Sequence, residues 1–247
     1  MANELDEVTG PTNAAGRDVN VIEKQIPVTV GWGSRLFEVV LWTVGTIPGL
    51  IMLLTGSVSV GGGIALIVLG PLPGLIFLFM KINALAYLRK LQQKIQADAS
   101  QIDNYLEQRV VILQNVVGLV ERSVELDKDV MKSVAAYRGG VDPRDDGARN
   151  ARARGIDALS TSINVAFEAY PDLKAQAVIA DAMRQNSYLQ KEVTAARALY
   201  NDTVNQWNAD IFSWPTKQIV AAKAGYSTRI PFTASAETKA QARSTFF

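Results

Sequence analysis

The chain has 247 residues, with 25 Lys and Arg against 24 Asp and Glu, a net charge near +1 and 48% hydrophobic residues. It contains no cysteine and no histidine, which excludes disulfides, thiol chemistry, Cys/His zinc sites and a histidine-based catalytic triad. Residues 1–80 are net acidic and 81–247 net basic, but no basic stripe or basic–aromatic platform of the kind that binds nucleic acid is present.

Residues 1–35 read as a polar arm. MANELDEVTGPTNAAGRDVN is poor in aromatics and carries Gly and Pro, a composition that does not build a packed core. VIEKQIPVTV then has β-branched residues in partial alternation. It is read as a short strand, an extended arm reaching a neighbouring subunit, or an amphipathic interfacial segment; an isolated strand needs backbone partners.

Residues 36–80 are a membrane region. No charge falls between Val39 and Met80, whereas one helical crossing needs only about 20 apolar residues. The run divides into Leu36–Leu54, a small turn-prone piece TGSVSVGGG at Thr55–Gly63, and Ile64–Met80. Two crossings are the favoured reading, against one crossing plus a re-entrant or interfacial piece. Pro48, Pro71 and Pro73 interrupt simple helix continuity. Arg35/Glu38 and Lys81 mark the borders, with Trp32, Phe37 and Trp42 near one and Phe77, Phe79 and Tyr87 near the matching one. Gly49, Gly56, Gly61, Gly62, Gly63, Gly70 and Gly74 serve either close helix approach or bends. Basic residues on both flanks place both termini in the cytoplasm under the positive-inside bias.

Residues 81–233 read as a helical domain. From Lys81 to about Tyr137, apolar residues such as Leu88, Leu91, Ile95, Ile102, Leu106, Leu113 and Val117 recur at three- and four-residue steps between charged ones. RGGVDPRDDG ends this helix, and further helices are expected at Ala148–Tyr170, from Pro171 or Asp172 to about Phe212, and at Thr216–Ala224. Residues 234–247 form a polar tail ending in Phe246 and Phe247. The fold class is therefore all-α: a membrane-anchored, antiparallel long-helix bundle with an N-terminal transmembrane hairpin or re-entrant segment.

Chemistry is sparse. There is no GxGxxG fingerprint and no GxxxxGK[ST] phosphate loop. Glu121/Glu125/Asp127/Asp129 sit among Arg122 and Lys128 and read as a salt-bridged face, while Asp142/Asp145/Asp146 lack calcium-loop spacing. Glu168, Asp172 and Lys174 read as local pairing and capping at a helix junction, and Tyr200, Asn201, Asp202, Asn205 and Asn208 as a buried network between helices. No catalytic, cofactor-binding or metal-ligating residue is assigned.

Three stretches carry a family resemblance: QIDNYLEQRVVILQNVVGLVE at 101–121, EAYPDLK at 168–174 and AARALYNDTVNQWNADIFSWP at 195–215. Together they resemble the LemA family of bacterial membrane proteins, over roughly Leu85–Phe232. The resemblance implies an N-terminal anchor in the bacterial inner membrane followed by an antiparallel helical domain, with no family-wide substrate or catalytic residue. Carried over onto fold and packing are Ile102, Asp103, Arg109, Glu121, Tyr170, Pro171, Leu173, Lys174, Ala196, Arg197, Tyr200, Asn201, Val204, Asn208 and Pro215. Two features depart from the pattern. Leu113, Gln114 and Asn115 stand where relatives have a proline-containing segment, and the apolar run is long enough for two crossings rather than one.

The expected function is a non-enzymatic, homo-oligomeric scaffold that organises the membrane or envelope. The alternative is an adaptor or sensor presenting a helical surface to another membrane protein. Expected partners are the lipid bilayer, further copies of the chain and a membrane protein, with no nucleic acid.

Overall fold

The computed structural model describes residues 12–13, 16–17, 25–57, 59–121, 146–169 and 177–232. In chain order the helices are α1 (Trp32–Thr43), α2 (Thr46–Leu54), α3 (Val60–Leu69), α4 (Leu72–Glu121), α5 (Asp146–Ala169), α6 (Ala177–Ile211) and α7 (Thr216–Ala224). Two-residue strands, β1 (Thr12–Asn13) and β2 (Gly16–Arg17), pair antiparallel, with Thr12 opposite Arg17. All longer elements among the described residues are helical.

The helices divide into two compact units. One contains Lys24–Gln93 and Asn205–Arg229; the other contains Lys94–Val204 and the chain from Ile230.

The prolines explain where the apolar run breaks in the first unit. A helical proline lacks the N–H donor, and its ring clashes with the carbonyl four residues earlier. Pro48 lies in the first turn of α2 and Pro73 in that of α4, and the chain breaks upstream of each, between Thr43 and Thr46 and between Leu69 and Leu72. The α1 and α2 axes bend by 49° at their break. Beyond α2 the turn passes through Gly56, whose φ of 67° is left-handed, to Ser59, whose side chain caps α3 by accepting from the Gly62 amide. The run is thus four helices rather than two uninterrupted arms. Its first helix starts at Trp32, inside the segment read as polar arm, and α4 already begins at Leu72.

α7 closes the same unit. Gly225, with φ of 68°, caps it in the left-handed conformation. The chain then runs extended, and Pro27 forms an isolated antiparallel bridge with Ser227. The Val28 amide donates to the Tyr226 carbonyl and the Thr228 amide to the Ile26 carbonyl, both at 3.0 Å. The short strand expected at 21–30 is reduced to this bridge, and its backbone partner lies in the same chain; residues 21–24 fall outside the described residues.

In the second unit the apolar periodicity is buried as read. Ile102, Leu106 and Leu113 of α4, Ile156 of α5, and Ile179, Tyr200 and Val204 of α6 are all essentially inaccessible. The expected end of the first long helix near Tyr137, the start of the third helix at Pro171 or Asp172, the tail and all but the last two residues of the 138–147 loop lie outside the described residues; those two, Asp146 and Gly147, begin α5 ahead of the expected start at Ala148.

Candidate functional site

The glycines of the apolar run show how its two halves meet. A methyl group at Gly45 would run into the Cα of Gly70. One at Gly70 would stand 2.5 Å from the Gly45 carbonyl carbon and the Thr46 nitrogen. At Gly49 it would meet Leu66 Cβ at 2.8 Å, at Gly63 Leu53 Cδ1 at 2.6 Å, and at Gly74 the Trp42 ring at 2.5 Å. The contacts advance in opposite directions along the chain, so α1–α2 folds back on α3 and the start of α4. The two breaks lie side by side, with backbone against backbone. A methyl group at Gly61, in contrast, would meet nothing within 4 Å among the described residues, so Gly61 plays no part in this approach.

The charged borders also meet. Lys81 Nζ lies 3.1 Å from Glu38 Oε2, and Lys223 of α7 reaches the same oxygen at 3.6 Å. Phe37 packs edge-on against Phe77 with centroids 5.5 Å apart, and against Trp214 at 5.2 Å. Between these borders and the turn the surface is apolar: Val39, Ile47, Ile51, Leu54, Ile64 and Val68 are among many exposed large side chains. Among the described residues, the stretch Val60–Leu119, α3 with α4, is long and apolar enough to cross a membrane, and the bent α1–α2 pair is a second such stretch if it is taken as one span.

A polar cluster sits just beyond the border. The Tyr87 hydroxyl donates to Asp210 Oδ2 at 2.7 Å and accepts from Gln206 Nε2 at 2.8 Å. Lys217 pairs with Asp210 and lies 4.6 Å over the Tyr87 ring. The hydrogen bond to the Asp210 carboxylate, with burial and the same negative charge, raises the Tyr87 phenol above its ordinary 10.0, against a smaller opposing effect of Gln206. A raised acid stabilises the fold fully below the unfolded pKa and ceases to do so as pH rises through the folded value. The Tyr87 contribution is therefore present at neutral pH and is lost above about pH 10. Ultraviolet titration should show a phenol titrating late in the wild type and earlier in Asp210→Asn.

The remaining polar groups join the helices to one another and to the extended segment that reaches Phe232. Arg109, fully buried, donates from Nη1 to Asp157 Oδ1 at 2.7 Å and from Nε to Asn186 Oδ1 at 3.1 Å. Asn186 in turn donates to Ser160 Oγ at 2.9 Å. Arg197 shares the Asp157 carboxylate, with Nη2 3.6 Å from Oδ2, and lies over the Phe232 ring. Burial pushes the Arg197 guanidinium below its ordinary value, Asp157 opposes the fall and Arg109 adds to it. Among the described residues, Arg109 Nη2 and Arg197 Nε find no hydrogen-bond acceptor. Asp103 pairs with Arg149 at 3.3 Å, and Thr203 donates to Asp98 at 2.7 Å.

Asn201 and Asn208 play a role that the sequence did not suggest. Asn201 Nδ2 donates to the Phe232 carbonyl at 2.9 Å while its Oδ1 accepts from the Phe232 amide at 2.7 Å. Asn208 does the same with Arg229, at 3.0 and 2.8 Å. Each side chain thus pairs with one residue of the extended segment as a neighbouring strand would. Trp207 Nε1 donates to the Ser227 carbonyl at 2.9 Å. The expected helix–helix network at Asn201 and Asn208 is corrected: their amides hold a strand-like segment, because a primary amide presents a donor and an acceptor together. Asn201→Leu removes both bonds to Phe232 and should cost about 1–3 kcal/mol in denaturant unfolding, with faster exchange of the Phe232 amide.

With these contacts in place, the signature residues can be located. Ile102, Asp103, Arg109, Ala196, Arg197, Tyr200, Asn201, Val204 and Asn208 all lie in the contacts or the buried core above, and Pro215 precedes α7. Glu121 is the last residue of α4; its side chain, together with Tyr170, Pro171, Leu173 and Lys174, lies outside the described residues. The LemA family model matches residues 98–246, more than half of the chain. The chain belongs to the LemA family. No curated protein matches it. The match begins beyond the apolar run, so the folded-back helices of this LemA protein lie outside the residues that the family model matches. In the apolar unit, sequence reading passed over Gly45 and Lys223, among others, and read Trp214 only as part of a helix break. The proline at 48 was the available signal for Gly45; nothing local announces the contacts of the other two.

Proposed function

We propose that this LemA protein is a non-enzymatic component of the bacterial inner membrane. Its folded-back helices insert as a hairpin, and its helical domain forms an antiparallel bundle on the side from which the hairpin enters. One observation carries the topology. Residues 26–28, before the apolar run, are hydrogen-bonded to residues 226–228, far beyond it. A single crossing by the run would place these segments on opposite sides of the bilayer. Two crossings, or a re-entrant loop, keep them together. The glycine contacts and the Glu38–Lys81 pair support the same reading, because an in-register hairpin brings both polar borders to one level. The order of the cross-pairs Asp98–Thr203 and Arg109–Asn186 supports the antiparallel course of α4 and α6.

The chain assembles with copies of itself as a membrane scaffold. Gly61 and Ala65, one helical turn apart and both exposed on α3, support this, since small residues let membrane helices approach closely. Mass photometry in mild detergent should give a discrete large particle for the wild type and a smaller one for Gly61→Ile. A monomer across the accessible concentration range would overturn the scaffold and favour the adaptor role, with crosslinking in native membranes then yielding one dominant heterologous partner.

A further inference from the structure

The base of the hairpin carries a surface that hairpin insertion alone does not require. Trp214 is packed on one side against Phe37, yet 56% of it remains exposed. It lies beside a groove of about 410 Å³ whose lining includes Met80, Asn83 and Tyr87 from α4 and Trp214, Pro215 and Lys217 at the start of α7. Met80 is the last residue of the uncharged run, so the groove opens where the apolar surface ends. α7 itself carries Lys217 and Lys223 and no acidic residue. With Lys81 these give three lysines against the two carboxylates they contact, Glu38 and Asp210. Exposed Arg35, Arg89 and Lys90 add to the same sign.

An indole with one face packed and the other open, at an apolar–polar border, matches the environment of a bilayer interface. Excess cations at that level match the negative surface of a leaflet rich in anionic phospholipid. We infer that the Trp214–Lys223 element is a bilayer-contacting collar: Trp214 enters the headgroup layer beside the hairpin, and the lysine excess selects anionic phospholipid headgroups. This rests on the hairpin insertion proposed above. It also sets the depth of the hairpin, because Trp214 and Glu38–Lys81 become the level at which apolar chain gives way to headgroups.

The test uses the full-length protein reconstituted in phosphatidylglycerol vesicles and in phosphatidylcholine vesicles, with bromine on the acyl chains either close to the headgroup or close to the chain end. Comparison of the wild type with Trp214→Phe isolates Trp214 fluorescence, and comparison with Trp42→Phe isolates Trp42. The expected result is Trp214 quenching by headgroup-proximal bromine exceeding that by chain-end bromine at least twofold. This quenching should be stronger in phosphatidylglycerol and weakened by salt. Quenching of Trp42 without Trp214 would overturn the collar and leave the hairpin standing. Quenching of neither would overturn both. Equal Trp214 quenching in the two lipids at every salt concentration would overturn the selection of anionic headgroups.

Discussion

Replacing Gly45 or Gly70 by alanine is expected to separate the two halves of the apolar run. Each added methyl meets backbone of the opposite half, not the end of a flexible side chain. Overpacking of a tight core typically costs about 1–3 kcal/mol, and a clash with backbone belongs at or beyond the upper end because no rotamer change relieves it. The site is sensitive for a second reason. Both helices are broken there by prolines, so Gly45 and Gly70 carry the contact at a point where neither helix continues. Gly33→Ala in α1 is the control within the same folded-back helices, with open space at its Cβ among the described residues. It should be neutral, or gain up to about 1 kcal/mol from helix propensity. Detergent-resistant melting of the two variants against this control checks the prediction.

Asp157→Ala is expected to be among the most destabilising single changes in the helical domain. Arg109 is wholly buried, and both it and Arg197 direct their charge to this carboxylate. Removing one partner of a buried ion pair typically costs about 3–5 kcal/mol, because the remaining charge is left in a medium that solvates it poorly. Asn186 would remain as a neutral acceptor for Arg109. Asp157 is itself partly exposed, so water entering at its position would bring the loss toward the lower end of that range. Substituting Arg109→Met on the Asp157→Ala background should restore part of the loss, since it removes the stranded charge. Denaturant unfolding of the single and double variants reads this coupling directly.

The sequence made some of this legible because some of the causes are local. Thr216–Ala224 has the bounds expected from Pro215 before it and Gly225 after it. The helical repeat of Ile102, Leu106 and Leu113 marked a buried face because burial follows the period. Pro48 and Pro73 marked the helix breaks because a proline acts on its own chain four residues back. What the sequence did not disclose depends on partners remote in the chain. Whether a glycine makes a turn or a contact was undecidable until the two halves were brought together: Gly56 turns, Gly70 touches Gly45 and Gly61 does neither. Asn201 and Asn208 belong to a polar cluster on one helix, which suggested a network with a neighbouring helix. Their partner is an extended segment following α7, and helical periodicity carries no information about it. Glu38 and Lys81 marked the two borders as separate charges, while their pairing follows only from the fold-back.

The topology of the hairpin is tested most directly by thiol accessibility, for which the absence of native cysteine is an advantage. Single cysteines introduced as Gln25→Cys, before the apolar run, and Ser100→Cys, after it, would be treated with a membrane-impermeant maleimide in intact right-side-out and inverted vesicles. Both positions should be labelled from the cytoplasmic side and protected on the other. Labelling from opposite sides would mean that the run crosses once, and would contradict the hairpin.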